Sequence, residues 1–493
     1  MNEELNNALD QISDKHIDEA ATHRRQRLPW FRAVAAVLAV VLCWTAIWAA
    51  FDFKRPIITP TPTVPTVSSP DIQSPGSLQL TTLVAAPEYP QMVQCPVYED
   101  YENYRDYSKA LNAWYTDQRN HYNQPAGYAD NLQDFWAKSI AQFLSGDGNR
   151  AYSPANVYLA LAMLAEVSSG NSRQQVLDLL GADSIEALRT QARYVWNAQY
   201  CNDGKTTSVL ANSLWLDDAY TFKDATVQNI VNHYYASVFN GDLGTDEMNQ
   251  HLRDWINSQT SDLLQEHTKE LELSTNSVFA LVSTIYFAAD WDSGFNKKKT
   301  ADGIFHGENG DLTTTFMNKT ITEGTYFWGE DFGAVRLPLS KGCMWLILPD
   351  EGKTVEDVLE SSEYLQLTLS PSSWQNQKEL KINLSVPKFD ISSKADLIEG
   401  MKALGLTDVF DSNTANFTSM TDAEDLFLGK IEHAVRVAID EEGLIAAAYT
   451  VMDFPALGMP TIPDDEIDFV LDRPFLFLVT KDIPLFAGVV EQP

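Results

Sequence analysis

Side chains able to do chemistry are plentiful in this chain of 493 residues, but none falls into a reactive pattern. No GxSxG elbow, HExxH helix, CxxC pair, P-loop or dinucleotide fingerprint occurs. The eight histidines are dispersed, and none stands four residues from another with an acid between them. With 68 Asp and Glu, chance pairs of carboxylates are common and single out no general acid. Asp464, Asp465 and Glu466 lack the ligand periodicity of a calcium loop. Four cysteines (Cys43, Cys95, Cys201, Cys343) are too few and too scattered for a disulfide framework or a zinc site. The expectation is a protein that is not an enzyme and holds no cofactor and no metal.

One stretch has a pattern that chemistry elsewhere could use. Arg436 to Asp440 reads as a strand, and Glu441-Glu442-Gly443 breaks it where glycine relaxes the backbone restriction. Small apolar residues follow, LIAAAYT at Leu444 to Thr450, and then a loop with Pro455, Gly458, Pro460 and Pro463. Asp472 to Phe477 resumes an apolar strand. Gly443 and Pro474 lie 31 positions apart, which is long for a connection in a compact domain. Long ordered connections of that kind usually carry function.

The elements that must hold this loop belong to an acidic, otherwise ordinary globular chain. Lys and Arg total 35 against 68 Asp and Glu, a net charge of −33, with 44% hydrophobic and 21% charged residues. A pI near 4.5 excludes nucleic acid, whose binding needs clustered Lys and Arg. The exception is Ala33 to Phe51, 19 residues without a charge. As a helix they span roughly 28 Å, close to the hydrocarbon core. Arg24, Arg25, Arg27 and Arg32 precede them, so the positive-inside rule places 1–32 in the cytoplasm and the rest outside. The expected organisation is a cytoplasmic segment (1–32), a transmembrane helix (33–51) and an extracellular Pro/Thr-rich linker (52–96). A juxtadomain segment (97–127) and one large domain (128–493) follow. The location is the cell membrane, single-pass, with the C-terminal domain extracellular.

Tyr98, Tyr101, Tyr104 and Tyr107 lie three apart in the juxtadomain segment, a helical stripe expected to pack as a collar on the domain. In the domain, Asp130 to Leu144 reads as a helix capped by Asp130 or Asn131, and Ser153-Pro154 opens another through Ala165. Asn276 to Phe287, Cys343 to Leu348 and Glu379 to Val386 read as strands, and Glu399 to Leu404 as a short helix stopped at Gly405. Helices come early and strands late without βαβ alternation, so the class is α+β.

From Asp130 to Pro493 the chain resembles the serpins. The segments that carry the resemblance are EEGLIAAA at Glu441–Ala448 and DRPFLFLVTKDIPLFAGVVEQP at Asp472–Pro493. SPANVYLALAML at Ser153–Leu164, LVSTIYFAADWDSGF at Leu281–Phe295, VPKFDI at Val386–Ile391 and MKALGLTDVF at Met401–Phe410 complete it. The resemblance implies helices packed on three β-sheets, a large central sheet and an exposed reactive-centre loop. It also implies a suicide-substrate inhibitor, expected to be of bacterial type and, through Ala33–Phe51, membrane-anchored. A serine protease attacks the loop and forms a covalent acyl complex, and the cut loop then inserts into the central sheet and traps it. A monomer is expected, with serine proteases and the membrane as partners.

By that resemblance the hinge is Glu441, Glu442, Gly443, Leu444, Ile445, Ala446, Ala447 and Ala448. Side chains alternate along a strand, so the inward set is Leu444, Ala446, Ala448, Thr450, Met452, Phe454 and Ala456, none of them charged. Leu444 stands where the family usually has Thr or Ser, and its bulk is expected to slow the first step. Family spacing from Gly443 puts the cut at Leu457–Gly458, with Ala456 and Met459 as alternatives. That suits a chymotrypsin-, elastase- or subtilisin-type target. The shutter that lets the sheet open is carried by Ser153, Asn156, Ser283 and His433, with Asn156 and Ser283 having exchanged amide and hydroxyl. Trp291 packs at the top of the sheet. Lys297 to Lys299 read as solvated. The alternative is a non-inhibitory member acting as a binding, carrier or chaperone module.

Overall fold

A computed structural model describes residues 82–308, 310–444 and 465–493. The segments 1–32 and 33–51, the linker as far as 81, and the loop residues Ile445, Ala446, Ala447, Ala448, Ala456, Leu457, Gly458 and Met459 lie outside them. Among the described residues no helix is long and apolar enough to cross a membrane.

The strands run, in chain order, β1 (Leu83–Ala85), β2 (Arg150–Tyr152), β3 (Cys201–Asn202), β4 (Thr206–Asp217), β5 (Ala236–Gly241) and β6 (Phe279–Asp290). Next come β7 (Ala301–Gly307), β8 (Gly310–Trp328), β9 (Phe332–Pro338), β10 (Cys343–Pro349), β11 (Gln377–Pro387) and β12 (Phe389–Asp396). The last are β13 (Glu432–Ile439), β14 (Gly443–Leu444), β15 (Glu466–Val470), β16 (Phe475–Lys481) and β17 (Ile483–Val490).

They build two ladder-connected sheets. The central one has the order β1-β5-β4-β6-β14-β13-β12, with β3 beside β4. The other runs β15-β11-β8-β9-β10-β16-β17-β2, with β7 beside β8. Three sheets were expected. Two of them are one here because β8 is 19 residues long, pairing with β7 along its first half and with β9 along its last turn of ladder.

The core lies between the sheets. The helix Pro154–Val167 buries every residue but Ala160, as suits a segment apolar all round. Ser153 caps it, its hydroxyl accepting from the Asn156 amide at 3.4 Å, and Pro154 occupies the first turn where no donor is needed. One acid is drawn into that core. Glu166, 2% exposed, takes two 2.7 Å hydrogen bonds from Arg189, with Asn229 and Tyr234 donating as well. Such full pairing is what a buried carboxylate requires.

Several expected bounds move. The helix expected from Asp130 begins at Gln133 with no side-chain cap, because Asp130–Leu132 forms a 3-10 turn and the Asn131 amide donates instead to Gly181. The strand expected over 276–287 is β6, three residues later. The linker over 52–96 does not extend that far: Leu83 and Ala85 pair with Phe239 and Val238 at the edge of the central sheet. Met92 is buried, and Cys95 donates its amide to Asp203 at 2.6 Å.

The tyrosine collar is also redrawn. The helix runs Tyr104–Tyr122 from an Asn103 cap, and Tyr98 and Tyr101 precede it, gathering edge-on around Tyr107. Tyr98 and Tyr104 are exposed, and the face that packs on the domain carries Trp114 and Gln118, both buried.

Candidate functional site

The hinge is built from β13 outward. At the end of that strand Asp440 turns the chain. Its carboxylate accepts the amides of Glu442 at 2.8 Å and Gly443 at 3.1 Å, and its own amide donates to the Gly443 carbonyl at 3.0 Å. This folds Gly443–Leu444 back as β14, antiparallel to β13 and to β6 (Leu444 with Ile439 and Ala289, Gly443 with Asp290). Leu444 is 1% exposed, the one member of the expected inward set that the described residues include.

Gly443 is required for space. A Cβ there would meet the Ala289 carbonyl at 2.5 Å and the Asp290 Cα at 2.8 Å, while its φ lies outside the left-handed region. The backbone freedom expected of this glycine is therefore not what the site uses.

A second piece of chain, 291–295, clamps the turn. The Trp291 amide donates to the Glu442 carbonyl at 2.9 Å, its indole Nε1 to the Asp440 carbonyl at 2.8 Å, and the Phe295 amide to the Glu441 carbonyl at 2.9 Å. Trp291 is buried, as expected, and is also a hinge ligand. Charged side chains complete the grip. Glu441, 6% exposed, pairs with Lys388 at 2.7 Å and accepts from the Thr300 hydroxyl at 2.8 Å. Burial raises the Glu441 carboxyl, but these hydrogen bonds outweigh it and hold the group below its usual range. Lys297 is solvated, its side chain 67% exposed, and from the 297–299 turn it also pairs with Glu442 at 2.6 Å.

Lower in the sheet the residues expected to form a shutter meet in part. The Ser153 amide donates to His433 Nε2 at 3.0 Å and its hydroxyl to the Leu485 carbonyl at 2.7 Å. An accepting Nε2 places the neutral ring's proton on Nδ1. Burial pushes His433 down to about 4. Ser283 reaches Asn156, but its hydroxyl donates to the main-chain carbonyl at 3.4 Å, so the contact is not the amide–hydroxyl exchange expected. Sequence reasoning missed Asn212, fully buried, whose register partner is Ser283 and whose amide donates to the Tyr234 carbonyl at 2.7 Å. It also missed Asp440, Lys388 and Thr300, although Lys388 sits inside the VPKFDI segment.

This arrangement holds a segment of main chain between β6 and β13. Among the described residues no ladder pairs β6 directly with β13, and β14 alone joins them. Cys95, Cys201 and Cys343 form no disulfide, and no described group of His, Cys, Asp or Glu could hold a metal ion. The fold defines a class: a two-sheet α+β domain whose central sheet accepts the root of a long loop. The family model described as Serpin (serine protease inhibitor) matches residues 131–493. The chain belongs to the serpin family, the serine protease inhibitors, and is not an enzyme.

A relative named Serpin-ZX, from Arabidopsis thaliana, is 28% identical over 382 residues, covering 72% of this chain and 95% of its own. One named Serine protease inhibitor, from Cyanea capillata, is 28% identical over 360 residues, covering 70% and 92%. The crystal structure of the thermophilic serpin Tengpin in its native state is similar with a TM-score of 0.66 at 25% identity, covering 75% of this chain and 95% of that one.

Proposed function

We propose that this chain traps serine proteases of chymotrypsin, elastase or subtilisin type as acyl-enzymes, by inserting its cleaved loop between β6 and β13. The observation that carries the reading is β14. Its two residues occupy the start of a strand position between β6 and β13, with Leu444 buried in the sense the alternation requires. Extending that strand adds ladder hydrogen bonds and buries Ala446 and Ala448, small side chains that enter at little steric cost.

The cut falls at Leu457–Gly458, with Ala456 or Met459 as neighbouring alternatives, and an apolar residue there suits these proteases. No Lys or Arg occurs between Glu442 and Arg473, which argues against a trypsin-type target. The bacterial-type display on the outer face of the membrane, as a monomer carried by Ala33–Phe51, is part of the same proposal.

Incubation with chymotrypsin- and elastase-type enzymes followed by denaturing electrophoresis tests it. An SDS-stable adduct near the summed mass is expected. Clean cleavage with full protease activity retained overturns it in favour of a binding, carrier or chaperone module. Ala446→Arg or Ala448→Arg should turn inhibitor into substrate, since an unpaired charge would have to enter the core.

A further inference from the structure

The contacts at the hinge all favour docking of Gly443–Leu444 except one. Asp290 ends β6 directly opposite Gly443 and is half-buried there. Its main-chain carbonyl is satisfied by the Ser340 amide at 2.8 Å, but its carboxylate has no ion pair within 4.0 Å among the described residues. The charged groups that face it come from two turns. Lys205, between β3 and β4, attracts it, while Glu442 and Asp440, between β13 and β14, repel it. Lys297 neutralises Glu442 but does not reach Asp290.

We propose that Asp290 is a positioning residue for the hinge: ionised, it opposes docking of Gly443–Leu444 between β6 and β13, and protonated, it permits it. Mildly acid conditions then draw the root of the loop into the central sheet, and higher pH loosens it. The inference deepens the inhibitory reading above and rests on it for its biological meaning.

The sign follows from linkage. With the hinge docked, burial first, and then Glu442 and Asp440, push the Asp290 carboxyl up to about 6 from 3.8. If Gly443–Leu444 withdraws, Glu442 moves away with it while Asp440 stays at the end of β13, and water reaches Asp290, so its affinity for a proton falls. The docked state binds the proton more tightly, so docking gains as pH falls through about 6 and loses as pH rises. Full recovery of the ordinary carboxyl value on withdrawal makes the effect about tenfold by about pH 5 and at most about hundredfold at lower pH, and partial recovery makes it smaller.

Hydrogen exchange at the Gly443 and Leu444 amides of the full chain, corrected for the intrinsic pH dependence of exchange, reads this without any protease. Wild type should gain about tenfold protection between about pH 7.5 and about pH 5. Asp290→Asn should be protected throughout with a flat profile. Glu442→Gln should keep the transition but move it to lower pH, a readout that survives if the first variant folds poorly. A flat wild-type profile, or a slope retained in Asp290→Asn, overturns the proposal. SDS-stable adduct formation, assayed in parallel, fails independently if the inhibitory reading is wrong.

Discussion

At Gly443 a single added methyl group would collide with main chain on β6, 2.5 Å from the Ala289 carbonyl, and backbone cannot step aside as a side chain could. Gly443→Ala should therefore expel β14 and forfeit the burial of Leu444, about 2 kcal/mol of apolar contact. The expected outcome is loss of exchange protection at Leu444 and a shift from stable adduct toward cleaved substrate in the protease assay. His433 gives a second residue-scale test. Its folded-state value of about 4 lies below the 6.5 of an unfolded histidine, so the unfolded chain binds the extra proton first. Stability from the neutral ring is complete above about pH 6.5 and is lost as pH falls through 4, on the order of 3 kcal/mol in all. Urea midpoints measured across that range should fall with pH in wild type, and much less in His433→Gln, which retains an acceptor for the Ser153 amide.

Among the elements, the helix Tyr104–Tyr122 is held by a grip that crosses the sequence. Lys341, in the turn between β9 and β10, donates to Gln118 Oε1 at 2.6 Å and lies 5.6 Å from the Trp114 ring centre. Lys481, buried at the end of β16, sits 3.5 Å from the centre of the Tyr122 ring. Trp114→Ala should cost about 3–5 kcal/mol of local packing and speed exchange across 104–122, with adduct formation retained because the hinge is untouched. This helix also marks where local reading stops. Its tyrosines gave the period but the wrong face, since what it buries is selected by lysines more than two hundred residues away. The edge strand β1 was unreadable for the same reason, its three residues meaning nothing until β5 offers a register. By contrast, Pro154–Val167 was legible because an apolar circumference behind Ser-Pro describes itself locally. At the site, EEGLIAAA disclosed the hinge, but Asp440 as a turn-maker and Asp290 as its opponent needed strands some 150 residues apart to be laid side by side.

At the scale of the whole molecule, the decisive property is how little holds β6 to β13 among the described residues. On the far sides, β4 covers β6 for eleven residues, Thr206 to Leu216, and β12 covers all of β13, whereas among the described residues β14 places only Gly443 and Leu444 between them. A strand of similar length inserted there would add on the order of ten main-chain hydrogen bonds at roughly 1 kcal/mol each, besides side-chain burial. In the intact chain the loop is tied at both ends, by β14 on one side and by β15, paired parallel to β11, on the other. On the proposed inhibitory reading, a single cut would free one end and allow insertion without unfolding either sheet. The cleaved protein should therefore melt higher than the intact one by about 10 °C or more, a domain of this size gaining one to two degrees per kcal/mol. Scanning calorimetry before and after limited cleavage within 445–464 measures it. Because intact serpins of this design would be kinetically held, both traces should be recorded at one scan rate. If cut and uncut chains melt together, no strand has entered the sheet, and the loop serves display or binding rather than capture.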